Sequence, residues 1–154
     1  VIHFMTGNCS FQIITGDKRP FLPLILCADP DVSVVETYLD RGILVVAYCG
    51  EMPACVAVVT PASAGECELK ALATAEGFRH RGIASAMIHF LSGHFHGRYS
   101  SIIVGTAEPA VSFYQQFGFV WFRTDPGFFT RTYPEPVYDG DFLCRDMVYL
   151  RKDL

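Results

Sequence analysis

The residues Phe78-Arg79-His80-Arg81-Gly82-Ile83-Ala84-Ser85 join two segments whose apolar patterns have different periods, and that change of period constrains the fold more than any other feature of the chain. Before the junction, Cys67 to Thr74 alternates with period two, with Cys67, Leu69, Ala71 and Ala73 in one apolar row, the pattern of a half-buried strand. After it, Ile83, Met87, Phe90, Leu91 and Phe95 recur at helical spacing, Ser85, His89, Ser92 and His96 fall on another side, and Gly97 supplies a stop. A strand feeding directly into a helix aims the helix's unpaired N–H groups, and the positive end of its macrodipole, out of the first turn, where an anion is favoured. Gly82 permits close approach of a ligand to the backbone, and Arg79 and Arg81 offer charge-assisted hydrogen bonds to phosphate oxygens. On local physics alone, a solvated basic surface is the competing reading.

The rest of the chain supplies the context of that unit. Phe11 to Thr15 reads as a short edge strand ended by Gly16-Asp17, and Phe21 to Ala28 and Asp31 to Leu39 read as helical pieces separated by Asp29-Pro30. Asp31 or Ser33 is placed to cap the second piece, and Gly42 to stop it. Two Val-rich runs, Ile43 to Cys49 and Ala54 to Thr60, flank a turn at Gly50-Glu51-Met52-Pro53 and form a hairpin. Ser100 to Val104 is a further strand, Pro109 to Phe117 a short helix with Pro in its first turn and Gly118 at its end, and Phe119 to Arg123 extends again. This order of elements reads as α/β with a mixed sheet. Residues 125–141, aromatic and punctuated by Pro and Gly, are too long for a tight hairpin; they either border an acceptor site or form a packed excursion.

Two blocks in this order resemble a known family. Arg79-x-x-Gly82-x-Ala84 is similar to the Q/R-x-x-G-x-G/A acetyl-CoA motif of the GNAT (GCN5-related N-acetyltransferase) superfamily, and Ala110-x-x-x-Tyr114-x-x-x-Gly118-Phe119 resembles the A-x-x-x-Y-x-x-x-G-F segment that closes the acyl-CoA site from the other side. The resemblance covers roughly Arg41 to Phe122, and Phe142 to Leu150 fits the last strand of a small bacterial member. It implies a single GNAT domain over residues 1–154: a mixed, mostly antiparallel twisted sheet flanked by helices, with splayed central parallel strands. It implies acetyl-CoA as cosubstrate, with Arg79, His80, Arg81, Gly82, Ile83, Ala84 and Ser85 around its pyrophosphate. Leu72, Ala73 and Thr74 would lie along the pantetheine arm, one of their N–H groups serving as oxyanion donor. The chain departs from the family at Ala107, where many members carry Asn seven residues before the tyrosine, and Val1 to Asp40 matches no motif.

Amine acetylation needs a neutral nucleophile, an oxyanion donor, a route for the lost proton and a proton for the departing thiolate. The resemblance puts Tyr114 near the sulfur, where a phenol that keeps its proton at neutral pH can donate it; on local grounds Ala110, Phe113, Tyr114 and Phe117 also form a helix-period core set. Glu68 stands six residues before Thr74 on the same side of the strand, with Glu66 and Lys70, in the position from which some members supply a general base. The competing readings are an ordinary solvated strand face and loss of the amine proton through water. Tyr99, Tyr133 and Tyr138 contribute either to substrate binding or to packing.

Composition narrows the alternatives. The chain has 154 residues, 51% of them hydrophobic and 18% charged, against an average of about 25% charged, and a homodimer interface or an apolar cleft would absorb the excess. A net charge of -4, with basic residues scattered outside the Arg79–Arg81 turn, argues against nucleic acid, and no apolar run reaches the roughly 18 residues that cross a bilayer. The chain opens on Val1 without Met, as a trimmed or processed terminus would, and Val1 to Phe4 does not read as a signal peptide. Cys9, Cys27, Cys49, Cys55, Cys67 and Cys144 show no C-x-x-C pair and read as reduced thiols packed as small hydrophobes in a cytoplasmic protein. No metal is expected, since His89, His94 and His96 do not share one helical face. The resulting expectation is a cytoplasmic N-acetyltransferase that moves acetyl from acetyl-CoA to a small-molecule or peptide amine by direct attack in a ternary complex. A protein N-terminal acetyltransferase and a non-catalytic acyl-CoA sensor or interaction module are the alternatives.

Overall fold

A computed structural model of the chain describes the backbone of residues 2–3 and all of residues 9–154. The reading of Val1 to Phe4 as no signal peptide concerns a stretch whose ends lie outside the described residues. In chain order the elements are β1 (Ile2–His3), β2 (Cys9–Ile13), α1 (Leu22–Ile25), α2 (Val32–Glu36), β3 (Ile43–Cys49), β4 (Met52–Pro61), β5 (Glu66–Thr74), α3 (Ile83–Phe95), β6 (Ser101–Thr106), α4 (Val111–Gln115), β7 (Val120–Asp125), α5 (Phe128–Thr132), β8 (Tyr138–Asp139), β9 (Phe142–Leu143) and β10 (Met147–Asp153). Eight strands make one sheet in the order β1-β2-β3-β4-β5-β6-β10-β7, and β8 and β9 pair separately.

Every neighbouring pair in the sheet is antiparallel except β5 and β6. A parallel pair needs a crossover, and α3 supplies it. Ile83, Met87, Leu91 and Phe95 of α3 are buried against the sheet, each a side chain whose burial is worth about 1.5–3 kcal/mol in transfer terms. With α4 they cover one face, over Val45, Ala57, Cys67 and Leu69. The other face packs Leu44, Val46, Val56, Val58, Ala71 and Ala73 under α1 and α2. Asp31 caps α2, accepting from the Ser33 and Val34 amides at 2.8 and 3.2 Å.

Cys67, Leu69, Ala71 and Ala73 are all buried, as the alternation demands, but they do not share one core. Val58 pairs with Ala71 and Val59 with Leu69, so Lys70 has no partner on β4 and forms a β-bulge. The extra residue exchanges the faces of the strand: Cys67 and Leu69 point towards α3, Ala71 and Ala73 towards α1 and α2, and Leu72 packs with the α3 side. Glu68 is therefore on the opposite face from Leu72 and Thr74, which corrects its placement on one side with Thr74. Parallel pairing with β6 stops at Leu69–Val104, next to the bulge, and the two strands diverge beyond it.

Other expectations need adjustment. β2 is not an edge strand, because Ile2–His3 pair with Phe11 and Ser10 outside it. Cys9 and Cys49 are register partners on β2 and β3 and are joined by a disulfide, so these two are not reduced thiols; strand register, invisible in the spacing, brings them together. Cys55, Cys67 and Cys144 are buried free thiols and Cys27 is exposed. Helical structure in the early segments is shorter than the sequence implies, a single 3₁₀ turn at Arg19–Phe21 preceding α1. Residues 125–141 are an ordered excursion that holds α5 and leads into the β8–β9 hairpin. No helix among the described residues is long and apolar enough to cross a membrane.

Candidate active site

The divergence of β5 from β6 leaves one edge of β5 without a ladder partner after Leu69 among the described residues. Ala75 donates its N–H to Ala54 O at 2.8 Å on the β4 side. Backbone groups alternate along a strand, so Ala73 also faces β4, while Leu72 and Thr74 direct theirs into the gap. The backbone groups of Leu72 and Thr74 thus face the gap rather than a neighbouring strand. Ala73 is oriented differently, its side chain in the α1–α2 core and its backbone groups turned to β4.

Where β5 ends, a cavity of about 380 Å³ is lined by Thr74, Phe78, Arg79, His80, Gly82, Ile83, Ala84, Ser85 and Phe113. His80 (φ 62°) and Gly82 (φ 77°) both occupy the left-handed region, curling the loop so that Gly82 opens α3 without a side-chain cap. The N–H groups of the first turn of α3 are left for a ligand. The Arg79 Nε lies 3.4 Å from Thr74 O, which holds the guanidinium over the strand end. Arg81 turns away, its guanidinium 5.4 Å from the centre of the Phe78 ring, and it does not line this cavity.

A second cavity, of about 310 Å³, opens at the divergence itself. Leu69, Leu72, Ala110 and Tyr114 in its wall belong to the α3–α4 side, whereas Asp29, Ala71 and Tyr133 belong to the α1–α2 side, so the space passes through the sheet. The two cavities adjoin: Leu72 and Thr74 are neighbours on one edge of β5, and Phe113 and Tyr114 are consecutive on α4 with ring centres 5.1 Å apart. Tyr114 is only 8% exposed, edge-on to Phe119 at 5.6 Å. Its hydroxyl makes no hydrogen bond within the described residues and so is free for a ligand in the cavity. Burial, with the nearby Cys55 thiol, raises the phenol well above its usual value, which keeps it protonated. Cys55, also buried, is pushed up to about 11 although the Thr74 hydroxyl donates to it at 3.6 Å.

The family model for an acetyltransferase (GNAT) domain matches residues 40–121. The uncharacterized N-acetyltransferase YvbK of Bacillus subtilis is 30% identical over 135 residues, covering 85% of this chain and 87% of that protein. The chain belongs to the GNAT acetyltransferases. A GNAT family acetyltransferase from Elizabethkingia anophelis, solved with acetyl-CoA bound, has a TM-score of 0.89 at 27% identity, covering 96% of this chain and 99% of that one. A Bacillus subtilis acetyltransferase in complex with CoA has a TM-score of 0.85 at 27% identity, covering 95% and 99%.

In this GNAT chain the carboxylates singled out in the sequence lie away from the cavities. Glu66 is held by Arg151 at 2.6 Å and by the Ser101 hydroxyl at 2.7 Å, and the Arg151 hydrogen bond keeps its pKa below the usual carboxylate range. Glu68 pairs with Lys70 at 2.9 Å and does not line either cavity. Tyr133 and Tyr138 line the space through the sheet, whereas Tyr99 packs on Phe95 at 5.8 Å. Ala107, buried, occupies the wall where Asn is common in the family. His89 meets Phe117 edge-on and His94 stacks on Phe90, so they do not converge.

Asp29, which the sequence presents as part of a turn, is one residue it conceals. It is 6% exposed, lies in the cavity wall, and accepts hydrogen bonds from Tyr38 and Tyr133, each at 2.8 Å. Burial, and then the neighbouring carboxylate, raise both phenols. Phe113, in the wall of the strand-end cavity, was read only as core; its place one residue before the motif tyrosine is the signal available for it.

Proposed function

We propose that this GNAT enzyme transfers the acetyl group of acetyl-CoA to a primary amine by direct attack. The observation that carries the reading is the adjacency of the two cavities: an anion-suited loop lies along the same strand edge as the Leu72 N–H and the Tyr114 hydroxyl. The strand-end cavity fits a pyrophosphate by size and by donor set, with Arg79, His80 and the first-turn amides of α3 around it. The thioester would then lie across the gap, with its carbonyl oxygen towards the Leu72 N–H and its sulfur towards Tyr114.

In that arrangement the neutral amine forms a C–N bond to the carbonyl carbon, and the C–S bond breaks as the intermediate collapses. The Leu72 N–H stabilises the oxyanion. Tyr114 gives its proton to the leaving thiolate and regains one from the proton the amine sheds, so the products are an amide and CoA with a free thiol. The burial that raises Tyr114 raises a thiolate expelled beside it as well, which keeps that transfer in range. Water in the open cavity is the better-supported route for the amine proton, because Glu68 is paired with Lys70 on the other side of the bulge. The test is calorimetric titration with acetyl-CoA on the wild type and on Arg79→Ala/Gly82→Pro, followed by thiol release with a panel of amines and peptides. Saturable binding lost in the folded variant, with amine-dependent thiol release by the wild type, is the expected result. Absence of binding by the folded wild type at millimolar acetyl-CoA would refute it.

A further inference from the structure

The side of the through-sheet cavity away from Tyr114 ends on a carboxylate that has no cationic partner among the described residues. Asp29 is buried, yet among the described residues its carboxylate accepts hydrogen bonds only from two neutral phenols, those of Tyr38 and Tyr133. A carboxylate offers about four lone-pair sites, so two remain. The phenols fix its orientation from two segments, one of them 104 residues away, and neither neutralises its charge. Lys70, the cation in the wall, is engaged with Glu68 at 2.9 Å and lies 5.4 Å from the centre of the Tyr38 ring. Asp139 adds a second negative charge at the exposed rim. The wall is thus anionic at the end remote from the reacting atoms.

We infer that Asp29 reads a second cationic group on the acceptor, so that the preferred substrates are diamines, with one amine at Tyr114 and the other, still protonated, at Asp29; this rests on the amine acetylation proposed above. The two positions are not interchangeable. An ammonium beside a buried carboxylate has its pKa raised and stays protonated, so an amine at Asp29 is no nucleophile. The amine that attacks must be neutral and must reach the strand gap on the other side of the sheet. Tyr38 and Tyr133 are positioning residues: they preorganise the carboxylate, and Tyr133 carries residues 125–141 over it.

The experiment is thiol release at saturating acetyl-CoA with α,ω-diamines of four to six carbons and with n-pentylamine as the single-charge comparison, for the wild type, Asp29→Asn and Tyr133→Phe. In the wild type the best diamine is expected to exceed n-pentylamine in kcat/KM by roughly tenfold or more, the range of one charge-assisted hydrogen bond. In Asp29→Asn that ratio falls to about one, through KM and with kcat for the diamine largely kept; Tyr133→Phe gives an intermediate ratio. A wild-type ratio near one overturns the inference without need of any variant, which covers the case in which Asp29→Asn does not fold. A ratio unchanged in folded Asp29→Asn overturns it too. Both differ from the failure of the underlying reading, in which neither amine, nor any other in the panel, releases thiol.

Discussion

Replacing Tyr114 by Phe separates catalysis from packing at the centre of the site. The substitution keeps the ring, and with it the contacts to Phe113 and Phe119, and removes a hydroxyl that has no hydrogen-bond partner among the described residues. No protein–protein hydrogen bond is lost, so the melting temperature is expected to stay within about a degree. Ground-state binding of acetyl-CoA should also change by less than about twofold, because the cradle at Arg79–Ser85 is untouched. The loss falls on the step in which sulfur acquires negative charge. A hydrogen bond to a charged group is worth about 1.5–3 kcal/mol, or roughly 10- to 150-fold in kcat, and full proton donation extends the range to about 10⁴-fold. The assay is steady-state thiol release with a chromogenic thiol reagent, blanked without acceptor because the exposed Cys27 reacts once per chain, alongside calorimetric titration of acetyl-CoA. A variant that binds normally and keeps kcat within twofold of wild type would show that the phenol plays no part in expelling the thiolate.

Two further predictions concern the frame around the site. The Cys9–Cys49 disulfide spans 40 residues, for which the loop-entropy relation gives about 4 kcal/mol; Cys49→Ser, or reduction, should lower the melting temperature by several degrees, and identical melts with and without reductant would exclude the bond in solution. Glu66 is held below its ordinary value of 4.5, chiefly by Arg151, so the unfolded chain binds its proton more readily. Its stabilisation is complete above that value and is lost as the pH falls through the lower, folded-state value. Glu66→Gln should therefore flatten the decline of stability below about pH 4.5, measured by denaturant unfolding across pH, and an unchanged acid slope would count against the pairing with Arg151.

The strand–loop–helix unit was legible because three independent signals coincide there: period two before the junction, helical period after it, and Gly82 between them. Two left-handed residues make the turn, and glycine discloses only one of them; His80 gives no hint from its identity. The bulge was illegible for a different reason. Both faces of β5 are covered, so an inserted residue exchanges one buried environment for another and the alternation of small and apolar side chains continues undisturbed across Lys70. That is why Glu68 appeared to share a face with Thr74. Asp29 was hidden by distance along the chain: beside Pro30 it reads as a turn residue, and its significance appears only when Tyr133 closes over it. The disulfide depends on strand register, which the Cys spacing does not encode.

The bulge also accounts for how one strand can be both core and the proposed binding surface, and it yields the sharpest test of the architecture. If Lys70 is deleted, Leu69 pairs with Val59 and Ala71 with Val58 in unbroken register, so every remaining side chain of β5 keeps the face it now has. Both cores survive on paper, and the ladder gains the hydrogen bonding that a bulge interrupts. What the deletion removes is the local kink that ends the β5–β6 pairing at Leu69–Val104. The variant is accordingly expected to fold, with a melting temperature at or above that of Lys70→Ala, which keeps the bulge while losing the ammonium. The gap in front of the Leu72 N–H would close, so acetyl-CoA binding should weaken at least tenfold and thiol release should fall below detection, while Lys70→Ala retains both. A folded deletion variant with wild-type turnover would mean that the divergence of the strands has some other cause, and that the bulge is incidental to the site.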